Sequence, residues 1–471
     1  MSHRDSNAQD RAVRLNAACL KLAIRWLLRG VDWSGIGFRD DCTWTPMLLT
    51  SAALLWVWSD EVTLDDRFTT ARKIVLFLFR PQRQFAGSYQ AFTKLLQRWT
   101  DRLIECLKVA LRERIRRDLP DCWLILGFIM FGVDGSRADL PRTRSHELAY
   151  SLLRHPRKSR KGRKLRKRLK KLKHKALSRK VTSPQLWLTT MFHVGSGLPW
   201  DWRIGPADSS ERAHMLAMLS TLPPGALIAA DAGFVGYEYL KAILDSGRQL
   251  LLRVGSNVRL LKKLGYYAHE QEKTVYLWPD RKASQQCPPL VLRLVIGDNG
   301  KHPIFLVTSV LSEKRLTDRQ VVELYARRWG IELFYRSLKQ TFQRRKLHSA
   351  SAKNAELELQ WSMVGLWAMG LYALLQLQKE RLASRRLSFA KVLRAFRRMM
   401  RDYLHPSEPG RSLCDQLRKA VIDSYHRQNK TSRDYPRKKQ EAPPGPPRIL
   451  TASAAQIQRA QALRFELSQK G

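Results

Sequence analysis

The sequence predicts a mixed α/β fold: a helical N-terminal region followed by a sheet that is flanked by helices and interrupted by a second run of strands. Three observations predict it. The first 118 or so residues lack strand alternation and space their apolar residues at helical intervals. Two apolar runs, one ending at Asp134 and one at Asp231, have the look of buried central strands. Between Asp231 and a strongly periodic helix near residue 330 lies a stretch dense in β-branched and aromatic residues. At 471 residues the chain exceeds one ordinary domain of about 100 to 200 residues, so two to four folding units are expected.

In the N-terminal region Phe92, Leu95, Leu96, Trp99, Leu103 and Leu107 recur three and four residues apart, which makes one helix face apolar. CWLILGFIMFGVDGSR then reads as a buried strand whose last residue, Asp134, emerges at a sheet edge. From Arg154 to Lys180 sixteen residues are Lys or Arg and none is Asp or Glu, yet Leu165, Leu169, Leu172 and Ala176 share a helical face. This segment is expected to form a basic amphipathic helix or hairpin interrupting the sheet. QLWLTTMFHVG and LPWDWRIG predict two further strands, and a helix through Met218 starts with Ser209 or Ser210 as N-cap. GALIAAD predicts another buried strand, ending in Asp231. LLRVGS, KTVYLWP, LVLRLVIG and PIFLVTSV, separated by turn signals such as DNG, predict a β-rich insertion of its own. One long helix follows, opened by the capping-box pattern Thr317 to Gln320 and carrying RQVVELYARRWGIELFYRSLKQ. A very apolar helix from Leu357 to Leu377 should pack against it. Residues 427–448 mix basic residues with prolines and are expected to be extended. The expected units are therefore 1–118, helical; 119–248, the first part of the core, with the basic insertion 154–180; 249–311, the β-rich insertion; 312–400, the second part of the core; and 401–471, a helical region with a basic, proline-rich tail.

Lys and Arg number 85 against 41 Asp and Glu, a formal net charge of +44. Such a field calls for a polyanionic partner. Nucleic acid fits better than a structural place in a ribosome, because small ribosomal proteins rarely need a hydrophobic fraction of 44%. A membrane is not expected: the longest apolar runs, Met47 to Trp58 and Trp361 to Leu377, fall short of the roughly 20 apolar residues of a span. No apolar segment follows the charged N-terminus, so a cytoplasmic location is expected. The six cysteines are scattered without a CxxC pair, which argues against a zinc site or a disulfide framework. The eleven histidines show no ligand spacing. For the basic stretch 154–180, a solvated charge run, a membrane-surface helix and a calmodulin-type target are the ordinary readings. In a chain of this charge a DNA-backbone clamp is favoured, with Lys164, Arg168 and Lys171 among its phosphate contacts.

Phosphodiester chemistry of this kind uses two divalent ions about 3.5 to 4 Å apart, and hard cations want oxygen ligands. Asp134 and Asp231 each close an apolar run, so neighbouring strand ends could bring them together. A solvated or turn-capping aspartate is the commoner role for any one of them. The helix adds Tyr325, Arg328, Glu332 and Lys339 at offsets of 3, 7 and 14 residues, which at about 100° per residue places all four within a stripe of about 60°. A structural stripe of ion pairs would explain Arg328 and Glu332 but leave Tyr325 and Lys339 without a role.

YARRWGIELFYRSLK, with its Tyr, Arg, Glu and Lys so spaced, resembles the signature of the insertion-sequence-four group of DDE transposases. The resemblance extends to VDGSR around Asp134, to LPWDWRIGPADSSER and to ADAGFVGYE around Asp231, and covers residues 120 to 350 or so. It implies a ribonuclease-H-like sheet with Asp134, Asp231 and Glu332 as ligands of two Mg2+ or Mn2+ ions. By the same resemblance Tyr325, Arg328 and Lys339 grip phosphates of double-stranded DNA, at terminal inverted repeats and in the target. It also implies a homodimer on DNA, in a bacterial cytoplasm and on the nucleoid when bound. Relatives that cut through a DNA hairpin often carry Arg after the second aspartate, where this chain has Ala232; Trp329, Trp278 or Phe305 could offer a stacking surface, although core positions are their commoner role. Two other readings remain: a ribonuclease-H-like nuclease without strand transfer, and a catalytically inactive DNA-binding derivative.

Overall fold

The computed structural model describes residues 3–39, 42–81, 87–151, 183–298, 302–401, 412–422 and 445–469. The whole basic stretch 154–180, including Lys164, Arg168 and Lys171, and residues 427–444 of the tail lie outside the described residues.

The N-terminal region is helical: α1 (His3–Leu28), α2 (Pro46–Trp58), α3 (Leu64–Phe79) and α4 (Tyr89–Asp118), with a single turn, α5 (Pro120–Trp123), leading out of it. Thr45, Thr63 and Ser88 cap α2, α3 and α4 by accepting a backbone N–H, which satisfies donors that a helix start leaves free. Both long apolar runs are buried helices. Met47 to Trp58 lies in α2, and Trp361 to Leu377 lies in a later helix described below. Among the described residues no helix is long and apolar enough to cross a membrane.

A tight turn at Leu126 and Gly127, both with positive φ, turns the chain into β1 (Met130–Asp139). After α6 (Arg144–Tyr150) come the antiparallel partners β2 (Gln185–His193) and β3 (Leu198–Pro206). Then α7 (Glu211–Met218), capped by Ser210, leads to β4 (Leu227–Ala230), and α8 (Tyr237–Asp245) leads to β5 (Gln249–Val254). β4 runs parallel to β1, and β5 parallel to β4. The order β3-β2-β1-β4-β5, three antiparallel strands followed by two parallel ones, is the ribonuclease-H-like mixed sheet that the resemblance implies.

The β-rich stretch differs from its expectation as a unit of its own. β6 (Arg259–Lys262), β7 (Thr274–Leu277), α9 (Asp280–Ser284), β8 (Leu290–Asp298) and β9 (Pro303–Thr308) follow, and β9 pairs with β5. The insertion therefore extends the same sheet to ten strands, in the order β10-β6-β7-β8-β9-β5-β4-β1-β2-β3, with β10 (Arg448–Thr451) on the far edge. An unpaired β5 edge would leave a row of free backbone donors and acceptors, and β9 covers it.

The helix expected from Thr317 onward starts with its capping box, formed by Thr317 and Gln320, and is then broken. α10 (Asp318–Arg327) ends in a turn at Arg328 and Trp329, α11 (Gly330–Arg336) resumes, and a π turn covers Ser337–Thr341. α12 (Ala352–Lys379), buried over most of its length, packs against α2, α4 and β3. The Trp58 indole donates to the Gly365 carbonyl at 2.9 Å, and a Cβ at Gly365 would stand 2.6 Å from the Val57 side chain, so α2 and α12 touch at the backbone. α13 (Phe389–Arg401), α14 (Leu413–Arg418) and α15 (Ala454–Gln469) complete the helical side. One apolar cluster runs from α1 through the sheet to α15, joining the N-terminal helices to the sheet.

Candidate active site

The sheet carries the two aspartates at the ends of neighbouring paired segments. β1 and β4 are parallel, with Gly132 opposite Ala229 as the last pair, so Asp134 and Asp231 each lie two residues beyond it on neighbouring strands, within electrostatic reach of each other. Asp134 is not the end of its strand, as the apolar run suggests, because β1 continues to Asp139 on the pairing with β2. What ends is β4, at Ala230. From there β1 leaves β4, its last residue Asp139 being bridged by Lys346 instead, and Asp231 enters a short 3-10 turn, Ala232–Phe234. Each aspartate turns one oxygen to a nearby backbone N–H: Asp134 Oδ1 accepts from Gly135, and Asp231 Oδ1 from Gly233, both at 2.9 Å.

Glu332 sits in the first turn of α11, which is fixed across β1 and β2. The Tyr335 hydroxyl donates to the Asp134 carbonyl at 2.7 Å, and the Phe334 and Phe192 rings lie 5.8 Å apart. A Cβ at Gly330 would come within 3.2 Å of the Phe192 ring, so α11 lies tight on β2. Tyr335, one turn from Glu332, was not among the residues singled out from the sequence. Its position at i+3 on the glutamate's own face is the signal that points to it.

The basic and aromatic residues of the signature reach the same place by a broken path. Arg328, in the turn between α10 and α11, covers Gly132: a Cβ there would meet its Cγ at 3.6 Å. Its guanidinium lies 5.4 Å from the centre of the Tyr325 ring. Burial raises the Tyr325 phenol pKa, against the pull of Arg328 and Arg253. Lys339 lies in the π turn, where burial lowers its pKa while Asp139 and Asp134 act in the opposite sense. π turns of this kind recur at functional sites.

Residues 152–367 match the family described as Transposase DDE domain. That span contains Asp231, Tyr325, Arg328, Glu332 and Lys339 and begins after Asp134. The chain is also similar to the transposase InsG for insertion sequence element IS4 of Escherichia coli (strain K12), 27% identical over 244 residues, 48% of this chain and 53% of the relative. Residues 152–367 are thus similar to a transposase DDE domain. The chain spans about half the length of that curated relative. Among solved structures it is similar to the piggyBac transposase in a synaptic complex with hairpin DNA, at 11% identity and a TM-score of 0.40, covering 88% of this chain and 87% of that one.

The electrostatics of the site turn on an excess of acid. Burial raises the pKa of both Asp134 and Glu332; Arg328 pulls each back, and Asp231 pushes each further up. A fourth carboxylate, Glu211 at the start of α7, faces the same acids. Burial, then Asp134 and Asp231, push it up to about 7, with Arg137 opposing. Among the described residues none of these four carboxylates has an ion-pair partner, in a chain with 85 Lys and Arg. The donor set, all carboxylate oxygen, suits a hard divalent cation. In this arrangement, among the described residues, no three acidic, His or Cys side chains stand close enough to hold one ion together. Like charges at a shared edge repel, and the two aspartates are turned to their own backbone.

Of the three aromatic candidates, Trp278 is a core residue and Phe305 half-buried, whereas Trp329 is 53% exposed, three residues before Glu332. The six cysteines form no disulfide.

Proposed function

We propose that this chain is a DNA transposase that cuts at the terminal inverted repeats of its element and joins the freed 3′-hydroxyl ends to target DNA. Asp134, Asp231 and Glu332 are the carboxylates that would hold two Mg2+ or Mn2+ ions, and these ions would supply activation of the attacking oxygen and stabilisation of the leaving one. What supports this reading most is that Asp134 and Asp231 follow the paired ends of the neighbouring parallel strands β1 and β4, under a helix that bears Glu332 and whose Tyr335 hydroxyl donates to the Asp134 carbonyl.

The chain's own side chains then have separate tasks. Arg328 offers a planar fork to a phosphate beside the acids, and Lys339 a point charge. Tyr325 backs Arg328 with its ring face. Lys164, Arg168 and Lys171, in the basic insertion, hold the DNA backbone further out, and residues 1–118 recognise the element's ends. Two ends must be cut together, which calls for a homodimer on DNA. The setting is a bacterial cytoplasm.

The test is a strand-transfer assay with supercoiled plasmid and an end-bearing fragment in Mg2+. Joined product from the parent chain, absent with Glu332→Gln while DNA binding persists, is the expected result. Cleavage without joining would make the chain a nuclease of this fold, and binding with neither would make it an inactive derivative.

A further inference from the structure

Resting on that reading, we propose that Arg212 is a positioning residue for Asp231: it ties the turn that follows this carboxylate to a helix anchored on the far side of β1. Its place in that helix does not call for an arginine. Arg212 is the second residue of α7 behind the cap Ser210, where a positive side chain opposes the helix dipole.

The link runs through one residue. β4 ends at Ala230, so Asp231 and the turn Ala232–Phe234 lie beyond the pairing of β4 with β5. In that turn Gly233 is held at both ends: its N–H donates to Asp231 Oδ1 at 2.9 Å, and its carbonyl accepts from Arg212 Nε at 3.0 Å and Nη2 at 2.6 Å. A shift of Gly233 therefore moves the donor that fixes the Asp231 carboxylate. The other end of the link is anchored as well. α7 packs on β2, where His214 Nδ1 and Thr189 Oγ1 lie 2.9 Å apart, and Met215 on the same helix is buried. Because β2 and β4 flank β1 in the sheet, the link crosses the strand that bears Asp134.

A second glycine leaves room for the guanidinium. Gly236 has a φ of −175°, extended backbone that any residue adopts, so the path of the chain does not require glycine there. The arginine does: a Cβ at position 236 would stand 2.9 Å from Arg212 Nη1. An exposed arginine in a chain with 85 Lys and Arg is ordinarily a solvated charge or a phosphate contact. Neither role explains two of its N–H groups converging on one carbonyl, nor the space kept for it at Gly236.

The test compares single-turnover cleavage of an end-bearing duplex in Mg2+ with duplex affinity by fluorescence anisotropy and with the melting temperature, all on the full chain. Arg212→Ala removes the link, and Gly236→Ala pushes its far end aside while leaving the charge in place. Each is expected to slow cleavage about tenfold to a hundredfold, with duplex affinity and melting temperature as in the parent. The double variant should be no slower than the slower single one, since both changes break the same link. Arg212→Lys, which keeps one donor for the carbonyl, should recover part of the rate. Should Arg212→Ala fail to fold by circular dichroism, Gly236→Ala and Arg212→Lys decide. Weaker duplex affinity with the parent's cleavage rate at saturating duplex would make Arg212 a phosphate contact and overturn the assignment, and a lower melting temperature with cleavage kept would overturn it as a merely structural tie. Asp231→Asn serves as the control. If Asp231→Asn abolishes cleavage while Arg212→Ala and Gly236→Ala cut as the parent does, the assignment of Arg212 is overturned and the site stands. If Asp231→Asn also cuts like the parent, the reading of the whole site falls, and Arg212 with it.

Discussion

Two acidic regions of one sheet behave in opposite ways. On β3, Asp201 is completely buried and meets three cations: Lys108 at 2.7 Å, Arg112 at 3.3 Å and Arg203 at 3.0 Å. Lys108 and Arg112 come from α4, so this carboxylate joins the N-terminal helices to the sheet. Two strands away, Asp134 and Asp231 act electrostatically on both Glu332 and Glu211, and none of the four has an ion pair among the described residues. Cations are abundant in this chain, so the contrast is one of arrangement. Where the sheet must hold together, an acid is neutralised by the protein; at the proposed site, acids are left short of positive charge.

The strongest way to break this comparison is to neutralise the second group. Asp134→Asn, Asp231→Asn and Glu332→Gln are each expected to lower DNA cleavage at least about 10^4-fold, more than 5 kcal/mol of barrier, as losses of a member of a catalytic unit generally do. The melting temperature should hold or rise, because each change removes a like charge from the cluster. A large fall in melting temperature with cleavage retained would make these acids structural. The mirror experiment is Asp201→Asn, which leaves three buried or half-buried cations without their anion. A stability loss of about 3 to 5 kcal/mol in urea unfolding is expected. A cost below about 1 kcal/mol would remove the contrast.

Much of this site was legible because strands buried on both faces read as continuous apolar runs, and GALIAAD and FIMFGVDG have that look. The capping box at Thr317 and the spacing from Tyr325 to Lys339 were legible for similar local reasons. What escaped depends on distant partners. Asp134 looked like a strand end, but pairing with β2 carries β1 five residues further. The insertion read as separate, yet the bond pattern between β5 and β9 makes it part of the sheet. The helix break at Arg328 and Trp329 had one local sign, Gly330, whose meaning is the close approach to Phe192. Glu211 is one acid among 41, and behind Ser210 it reads as an ordinary helix start.

A pH experiment sharpens the comparison on its structural side. His193 on β2 is fully buried among Trp123, Phe131 and Trp200, and burial pushes its pKa down to about 4. Its Nδ1 accepts the Ser196 N–H at 3.2 Å. The unfolded chain takes up the proton near pH 6.5 and the folded one only near 4, so the stability from this group is complete above 6.5 and is lost as pH falls toward 4. The loss should be on the order of 3 kcal/mol across that window. The slope of stability against pH, measured by urea unfolding, should flatten in His193→Gln. An unchanged slope would show that other groups govern acid unfolding.

The smallest expected effect lies where the two kinds of region meet. Tyr335 is buried like a core residue, yet its hydroxyl ties the helix of Glu332 to the carbonyl of Asp134. In Tyr335→Phe the ring can keep its packing while the Asp134 carbonyl loses that donor, at about 1 kcal/mol of stability. If the bond also sets where Glu332 stands against the aspartates, single-turnover cleavage should fall about tenfold with DNA affinity unchanged, since a misplaced group slows the chemical step before it weakens binding. Cleavage at the parent rate, with only the stability cost, would show that α11 is held in register by Phe334 and Gly330 against Phe192, and that Tyr335 belongs with Asp201 among the joints of the fold.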